Sequence, residues 1–306
     1  MSAYFHSYLC GRKAAEWLIK MRKKKSFLSR IPSILARALI YIELIAVAVI
    51  VIYPLLWLVG TSLNSANSIA RINPIPSQPT LANYIRLIKE TSFVRWFLNT
   101  GYVAVLTMVF SVLINTVSAF IFARFNFRGK KASLLTIMLL QIFPSFMAVT
   151  AYYMIALTFN MLNNLNMLVI IYVATSIPTN IWLVKGNLMN LPRSLDEAAY
   201  IDGASKLQVF SKIILPLSIP IITFIALTAF MTPWMDYMIP RFLINKTSRM
   251  TIAPGLYEMV TPQTANYDFT AFCAGAVLIS IPITLLYMFG QKYLIAGLAS
   301  GANKGE

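Results

Sequence analysis

Six long apolar stretches, separated by short polar and charged segments, organise this chain. They run over about 38–63, 96–123, 132–160, 165–184, 213–235 and 269–291. Each is near or above the roughly 20 residues with which a helix crosses about 30 Å of hydrocarbon. The first holds one charge, Glu43, close enough to its end to snorkel; the next four hold none. In lipid every backbone N–H and C=O must be paired within the segment, so these stretches predict an all-α membrane protein of six transmembrane helices.

Composition agrees with that pattern. Of 306 residues, 58% are apolar and 12% charged, whereas soluble domains are about 25% charged. The formal net charge of +16 would suggest nucleic acid in a soluble protein. Here the basic residues gather at the ends of apolar stretches, where membrane topology accounts for them. Nine Lys and Arg lie in the first 37 residues, which lack the short apolar core and small-residue cleavage site of a signal peptide. With six spans, nineteen of the 26 Lys and Arg fall on the side of the N-terminal arm and seven on the other. This bias predicts that the N- and C-termini are both cytoplasmic. The domain division is a basic arm (1–37), a six-span body (38–297) and a short tail (298–306).

The connector 64–95 carries the run Asn73-Pro74-Ile75-Pro76-Ser77-Gln78-Pro79 and reads as irregular rather than helical. A second connector, 236–268, carries Pro240, Pro254 and Pro262. Together these two form the predicted extracytoplasmic face. Prolines also recur inside the spans: Pro54, Pro144, Pro178, Pro216, Pro220, Pro233 and Pro282. They kink helices for packing, or they let a bundle open and close around a path.

The connector between spans four and five, about 190–216, is different in kind. Ser194 and Glu197 stand as S-x-x-E, a capping box that starts a helix at Ser194. Asp196 and Glu197 suit the positive end of its dipole. Ala198 and Ala199 favour helix and leave room for another surface to approach. Gly203 ends the helix in the left-handed region, and Ser205 caps a second turn that leads through Leu215-Pro216 into span five. A passive linker needs no such capped helix–turn–helix.

Several chemistries are excluded. No G-x-x-x-x-G-K-[S/T] phosphate-binding loop occurs, so the chain is not itself an ATPase. Cys10 and Cys273 are placed too differently to pair, and the one histidine, His6, gives no metal cluster. Spans two to six lack the buried acids of an ion-coupled carrier, and no nucleophile–base constellation marks an intramembrane enzyme.

The same connector carries a family resemblance. Glu197-Ala198-Ala199, then Gly203, then Ile213-x-Leu215-Pro216 match in spacing the signature of permease subunits of bacterial ATP-binding-cassette importers, and Asp202-Gly203-Ala204 is the form usual in the sugar-importing branch. The resemblance covers roughly residue 38 to the C-terminus. Phe122-Ala123-Arg124-Phe125, Phe127-Arg128-Gly129-Lys130, Gln141-Ile142-Phe143-Pro144 and the tail from Gln291 to Gly305 resemble the MalG-type permeases of maltose and maltodextrin importers.

That resemblance implies a type I importer permease fold in the bacterial cytoplasmic membrane. It implies a second, MalF-like permease, two ATPase subunits that bind ATP and Mg, and an extracytoplasmic sugar-binding protein as partners. Glu197, Ala198, Ala199, Asp202, Gly203, Leu215 and Pro216 would form the coupling element, with Glu197 reaching a basic residue of the ATPase. Ser300, Gly301 and Lys304 would carry the tail into the ATPase dimer interface. Sugars are held by aromatic faces, amides and carboxylates, which makes Asn115, Gln141, Tyr152, Tyr153, Asn180, Trp182, Trp234, Asp236 and Tyr237 candidates for the solute path; interfacial belts and helix bridging are the alternative roles for such residues. Maltodextrin is the expected solute, with galacto-, raffinose-type or anionic oligosaccharides as alternatives.

Overall fold

The computed structural model describes residues 33–65, 75, 76, 78–142, 146–262, 264 and 267–302, with side chains from 37 to 292 among them. All regular structure among these residues is helical. The elements are α1 (Ser33–Ser62), α2 (Ala82–Glu90), α3 (Phe93–Arg124), α4 (Lys130–Leu140), α5 (Ala148–Thr158), α6 (Leu165–Met189), α7 (Ser194–Ile201) and α8 (Lys206–Val209). A π-turn (Phe210–Ile214) and the single turn α9 (Leu215–Leu217) lead into α10 (Ile219–Met235), followed by α11 (Met238–Leu243), a 3₁₀ turn (Thr247–Arg249), α12 (Ile252–Val260) and α13 (Phe269–Ala302).

Among the described residues, four helices are individually long and apolar enough to cross a membrane: Arg37–Ser62 within α1, then α3, α6 and Phe269–Lys292 within α13. The fifth predicted span is a bent pair, Lys206–Leu217 and Ile219–Met235, meeting at 79°. Proline chemistry explains the bend. Pro216 has no N–H to give the carbonyl of Lys212, and locally the ladder slips to i→i+5, with Leu215 N–H donating to Phe210 O. Pro220 likewise cannot pair with the carbonyl of Pro216, and the axis turns at Ser218 between them.

The third predicted span departs further from expectation. In place of one helix over 132–160 stand α4 and α5, of 11 residues each. Neither is long enough alone to cross about 30 Å. The interval holds Pro144, which cannot donate to a helical ladder. Gln141 lies at the end of α4, and its Nε2 donates to Pro178 O on α6 over 2.9 Å.

Residues 1–57 and 58–306 fall into two units. In the first, every described side chain from 37 to 56 is exposed; on an apolar helix this is the composition that lipid solvates. In the second unit, α3 and α6 form the centre. Thr100, Thr107, Ser111 and Asn115 make a buried small and polar stripe along α3. Ser111 Oγ lies 3.2 Å from Ser176 Oγ, and Asn115 Nδ2 donates to the same Ser176 oxygen at 3.1 Å. Small polar residues let helices approach closely where lipid offers no hydrophobic drive between them.

Two apolar cores sit at opposite ends of this pair. The far-end core joins Trp96, Val103, Leu168, Tyr172 and Trp234 to residues of the 236–268 connector such as Ile252 and Met259. The loop-end core joins Ala119, Phe120, Ala123, Val184 and Leu188 to Ala199, Val209 and Ile214.

The connector expected to be irregular, 64–95, contains a helix, and so does 236–268. In 64–95, α2 forms after the prolines and buries Leu87 and Asn83. Arg86 Nε pairs with Asp268 Oδ2 at 2.7 Å, and Asn83 Nδ2 donates to the carbonyls of Ser62 and Asn64, each at 2.8 Å. In 236–268, the connector folds as α11, the 3₁₀ turn and α12, held by long-range contacts that local sequence does not announce. Asn163, at a positive φ of 60°, accepts at Oδ1 from the N–H groups of Asn245 and Lys246. Thr100 Oγ1 accepts from Ile252 N–H at 2.8 Å, at the start of α12. Gly255 lies against Trp96 so closely that a Cβ would stand 2.3 Å from the indole.

Candidate functional site

The connector between α6 and α10 folds as two short capped helices. α7 begins at Ser194 as the sequence predicts, but its cap position is Arg193, one residue earlier than the S-x-x-E pattern implies: Leu195 N–H donates to Pro192 O, and the N–H groups of Asp196 and Glu197 both donate to Arg193 O. Ser194 therefore lies inside the helix, and the expected capping box at Ser194 does not form. The box forms instead at the second helix. Ser205 Oγ accepts from Gln208 N–H at 3.3 Å, and Gln208 Oε1 accepts from Ser205 N–H at 2.7 Å. Ser-x-x-Gln satisfies the same reciprocal geometry as Ser-x-x-Glu, so this signal was present in the sequence.

Between the helices Gly203 adopts φ +82°. Ala204 N–H donates to Ala199 O at 2.9 Å and Gly203 N–H to Tyr200 O at 3.1 Å. This is a complete Schellman stop, and Ala199 and Ala204 supply its apolar contact. No atom would touch a Cβ at Gly203, so glycine is required there by backbone conformation alone.

α7 has two faces. Asp196 and Ala199, one turn apart, are buried, while Glu197, Ala198 and Tyr200 are exposed. At the turn, Ile201 is 86% exposed and Leu207 73%, with Asp202 and Gly203 exposed between them. The outward surface thus combines small and apolar side chains with two carboxylates, a surface suited to a protein partner with a basic rim.

The inward face is fixed by a contact that reading the sequence missed. Arg124, the last residue of α3, places Nε 2.8 Å from Asp196 Oδ2, with both side chains about 90% or more buried. Its Nη2 donates at 3.2 Å to Leu191 O, in the link between α6 and α7. Beside it Phe120 stacks near Phe125 and Phe210, with ring centroids 5.6 and 4.9 Å away, and Lys206 Nζ lies 5.1 Å above the Phe125 ring. The i, i+3 spacing of Asp196 and Ala199 was the available signal that Asp196 faces inward. Leu215 and Pro216 form α9, directly after the π-turn.

The other candidates are placed as follows. Asn115 is fully buried and its Oδ1 has no hydrogen bond; Asn180 is buried on α6. Tyr152 and Tyr153 pack half-buried against the far-end core. Trp182 is half-buried with Lys185 Nζ 4.9 Å from its ring. Trp234 is buried edge-on to Phe97 at 5.0 Å, and Tyr237 faces Tyr257 at 4.5 Å. Asp236 is engaged at both oxygens: Oδ2 accepts from Tyr172 Oη at 2.8 Å and Oδ1 from Met238 N–H at 2.9 Å. None of these residues lines either of two apolar cavities; one, about 640 Å³, is lined by Met108, Val112, Thr116, Leu227 and Phe289. A second, about 430 Å³, lies between α3 and α6 beside Phe110 and Val173. At the C-terminus α13 continues as helix through Ser300 and Gly301 to Ala302; the side chains of those two residues, and Lys304 altogether, lie outside the described residues.

Residues 115–300, which hold α6 to α10 and the capped loop, match the model of the binding-protein-dependent transport system inner membrane components. The chain belongs to this family. Among its relatives is the galactooligosaccharides transport system permease protein GanQ of Bacillus subtilis, 37% identical over 87% of this chain and 94% of that protein. The maltodextrin transport system permease protein MdxG of the same organism is 38% identical over 87% and 95%. Both are transport components rather than enzymes. Among solved structures, a chain of a bacterial ABC transporter involved in import of the acidic polysaccharide alginate superposes with a TM-score of 0.74 and 20% identity, covering 86% of this chain and 98% of that one. This is the fold of an ABC importer permease.

Proposed function

We propose that this permease imports maltodextrins, with energy drawn from a separate pair of ATPase subunits that dock on α7. The observation that carries this reading is the outward face of α7 and its turn: Glu197, Ala198, Ile201 and Asp202 are exposed on a rigidly capped element. Glu197 pairs with a basic residue in a cleft of the ATPase, Ala198 lets the surfaces close, and Gly203 holds the turn. ATP-driven closure of the two ATPases moves two such loops, one on each permease, and opens the path on the opposite side. ATP and Mg stay with the ATPase subunits.

In this reading the chain crosses the cytoplasmic membrane six times, with α4 and α5 together making the third crossing and both termini inside. The positive residues at the loop end support that orientation. A second, MalF-like permease and an extracytoplasmic sugar-binding protein complete the assembly, and Ser300, Gly301 and Lys304 extend toward the ATPase dimer. The similarity to MdxG favours maltodextrin; the near-equal similarity to GanQ makes galactooligosaccharides the alternative.

The test is ATP hydrolysis by the purified complex across maltodextrins, galactooligosaccharides and anionic oligosaccharides, each with the cognate binding protein. Maltodextrin should stimulate hydrolysis well above the other classes. Stimulation by galactooligosaccharides alone would replace the solute, and no stimulation by any oligosaccharide would overturn the sugar reading.

A further inference from the structure

We infer that Arg124 and Asp196 are a mechanical latch that joins α7 to α3, so that a displacement of α7 is delivered to the second span and taken up at Ser218. The inference rests on the docking role proposed for α7, and it specifies where the movement goes.

Covalently, α7 is attached to α6 on one side and, through α8, to α10 on the other. The noncovalent attachment is of another strength. Arg124 is fixed at the last turn of α3, and its guanidinium reaches two points of the moving loop at once, Asp196 Oδ2 at 2.8 Å and Leu191 O at 3.2 Å. Both charged side chains are withdrawn from water. The contact is held by charge rather than by hydrogen-bond geometry: Arg124 Nε and the other carboxylate oxygen, Asp196 Oδ1, are both buried with no hydrogen bond. Separating such a pair exposes neither charge to solvent unless the whole loop peels away, and leaves each uncompensated in the meantime. The surrounding apolar core, Ala119, Phe120 and Ala123 of α3 with Ala199 and Val209, follows the same seam, and Ile225 of α10 borders it. α3, the end of α6 and α7 therefore move as one body.

The route to α10 is built in the opposite sense. It passes through the i→i+5 register at Leu215 N–H to Phe210 O, then Pro216, then Ser218, then Pro220. Two missing N–H groups in five residues remove ladder hydrogen bonds where the axis already turns by 79°. Ser218 is buried and its Oγ has no hydrogen bond, so no side-chain bond braces the bend. A push on α7 meets a rigid joint toward α3 and a compliant one toward α10.

The experiment uses the assembled complex with the partner permease, ATPase pair and binding protein. Spin labels go on Cys10→Ser protein at Ser194→Cys paired with Ile121→Cys, and at Ser194→Cys paired with Phe224→Cys. All three labelled positions are exposed. Between the nucleotide-free and ATP-bound states the Ser194–Ile121 distance should stay the same while the Ser194–Phe224 distance shifts. Asp196→Asn should broaden the first distribution and lower solute moved per ATP hydrolysed on the order of tenfold, the size of a typical coupling free energy. The swap Arg124→Asp with Asp196→Arg should restore most of that ratio, which a merely structural loss of packing would not. If Asp196→Asn fails to fold, the two distances in the unaltered pair decide. A Ser194–Ile121 distance that shifts as much as Ser194–Phe224 overturns the latch and leaves the docking reading standing. If neither distance responds to nucleotide, the docking reading falls and the latch with it.

Discussion

The two ends of the bundle are built by opposite strategies. At the loop end, α7 and α8 are set by rules that act within a few residues: a Schellman stop at Gly203, a capping box at Ser205 and Gln208, small residues between. Most of that element is exposed, and one buried ion pair joins it to α3. At the far end, the 236–268 connector has little local instruction beyond prolines, yet it is shaped by distant partners: Trp96 against Gly255, Thr100 beneath Ile252, Asn163 under Asn245 and Lys246. The element proposed to dock a partner is shaped by its own residues, whereas the far-end connector takes its shape from what it packs on.

The comparison breaks most visibly at Gly255. Gly255→Ala places a methyl 2.3 Å from the Trp96 ring, and overpacking of this kind costs about 3 kcal/mol. A marked fall in the unfolding midpoint of the detergent-purified protein is expected. Gly101→Ala on α3, where a Cβ meets nothing within 4 Å, should be neutral or stabilising by up to about 1 kcal/mol. Equal behaviour of the two variants would remove the close approach from the account.

A smaller loss is expected from Thr100→Val, which keeps the shape and leaves the buried N–H of Ile252 unpaired at about 2 kcal/mol. Amide hydrogen exchange should quicken at the start of α12 and not at α7. Smaller again is Gly203→Ala. With open space around it, its cost is the positive φ alone, about 1 kcal/mol. Exchange should then quicken at the amides of Gly203 and Ala204, with the unfolding midpoint nearly unchanged. A midpoint loss as large as that of Gly255→Ala would mean that the turn is held by packing after all.

The same contrast explains what could be read in the sequence. The loop was legible almost residue by residue because caps and glycine turns are local chemistry. One cap was placed wrongly: helical hydrogen bonding already begins at Pro192 and Arg193, so Ser194 has no orphan N–H to cap, while Ser205 has. Asp196 was read as a dipole partner because its true partner, Arg124, is 72 positions away in sequence. Four spans and the bent fifth were legible as apolar length, but α4 and α5 were not separable, since the run from 132 to 160 carries no charge to mark a break. The helices of the far-end connector were hidden for the reason given above: their cues lie on α3 and at Asn163. The solute-path candidates were chosen by side-chain chemistry alone, which says nothing of which of them share a neighbourhood in the fold.

The proposed point of coupling between ATP hydrolysis and transport is α7. Glu197→Ala tests it most directly, since this side chain is exposed and makes none of the contacts that hold the loop together. In proteoliposomes containing the full complex, the variant should assemble and keep the unfolding midpoint of the parent, while solute uptake driven by ATP is lost and hydrolysis no longer answers to solute. Uptake at the parental rate would contradict the account.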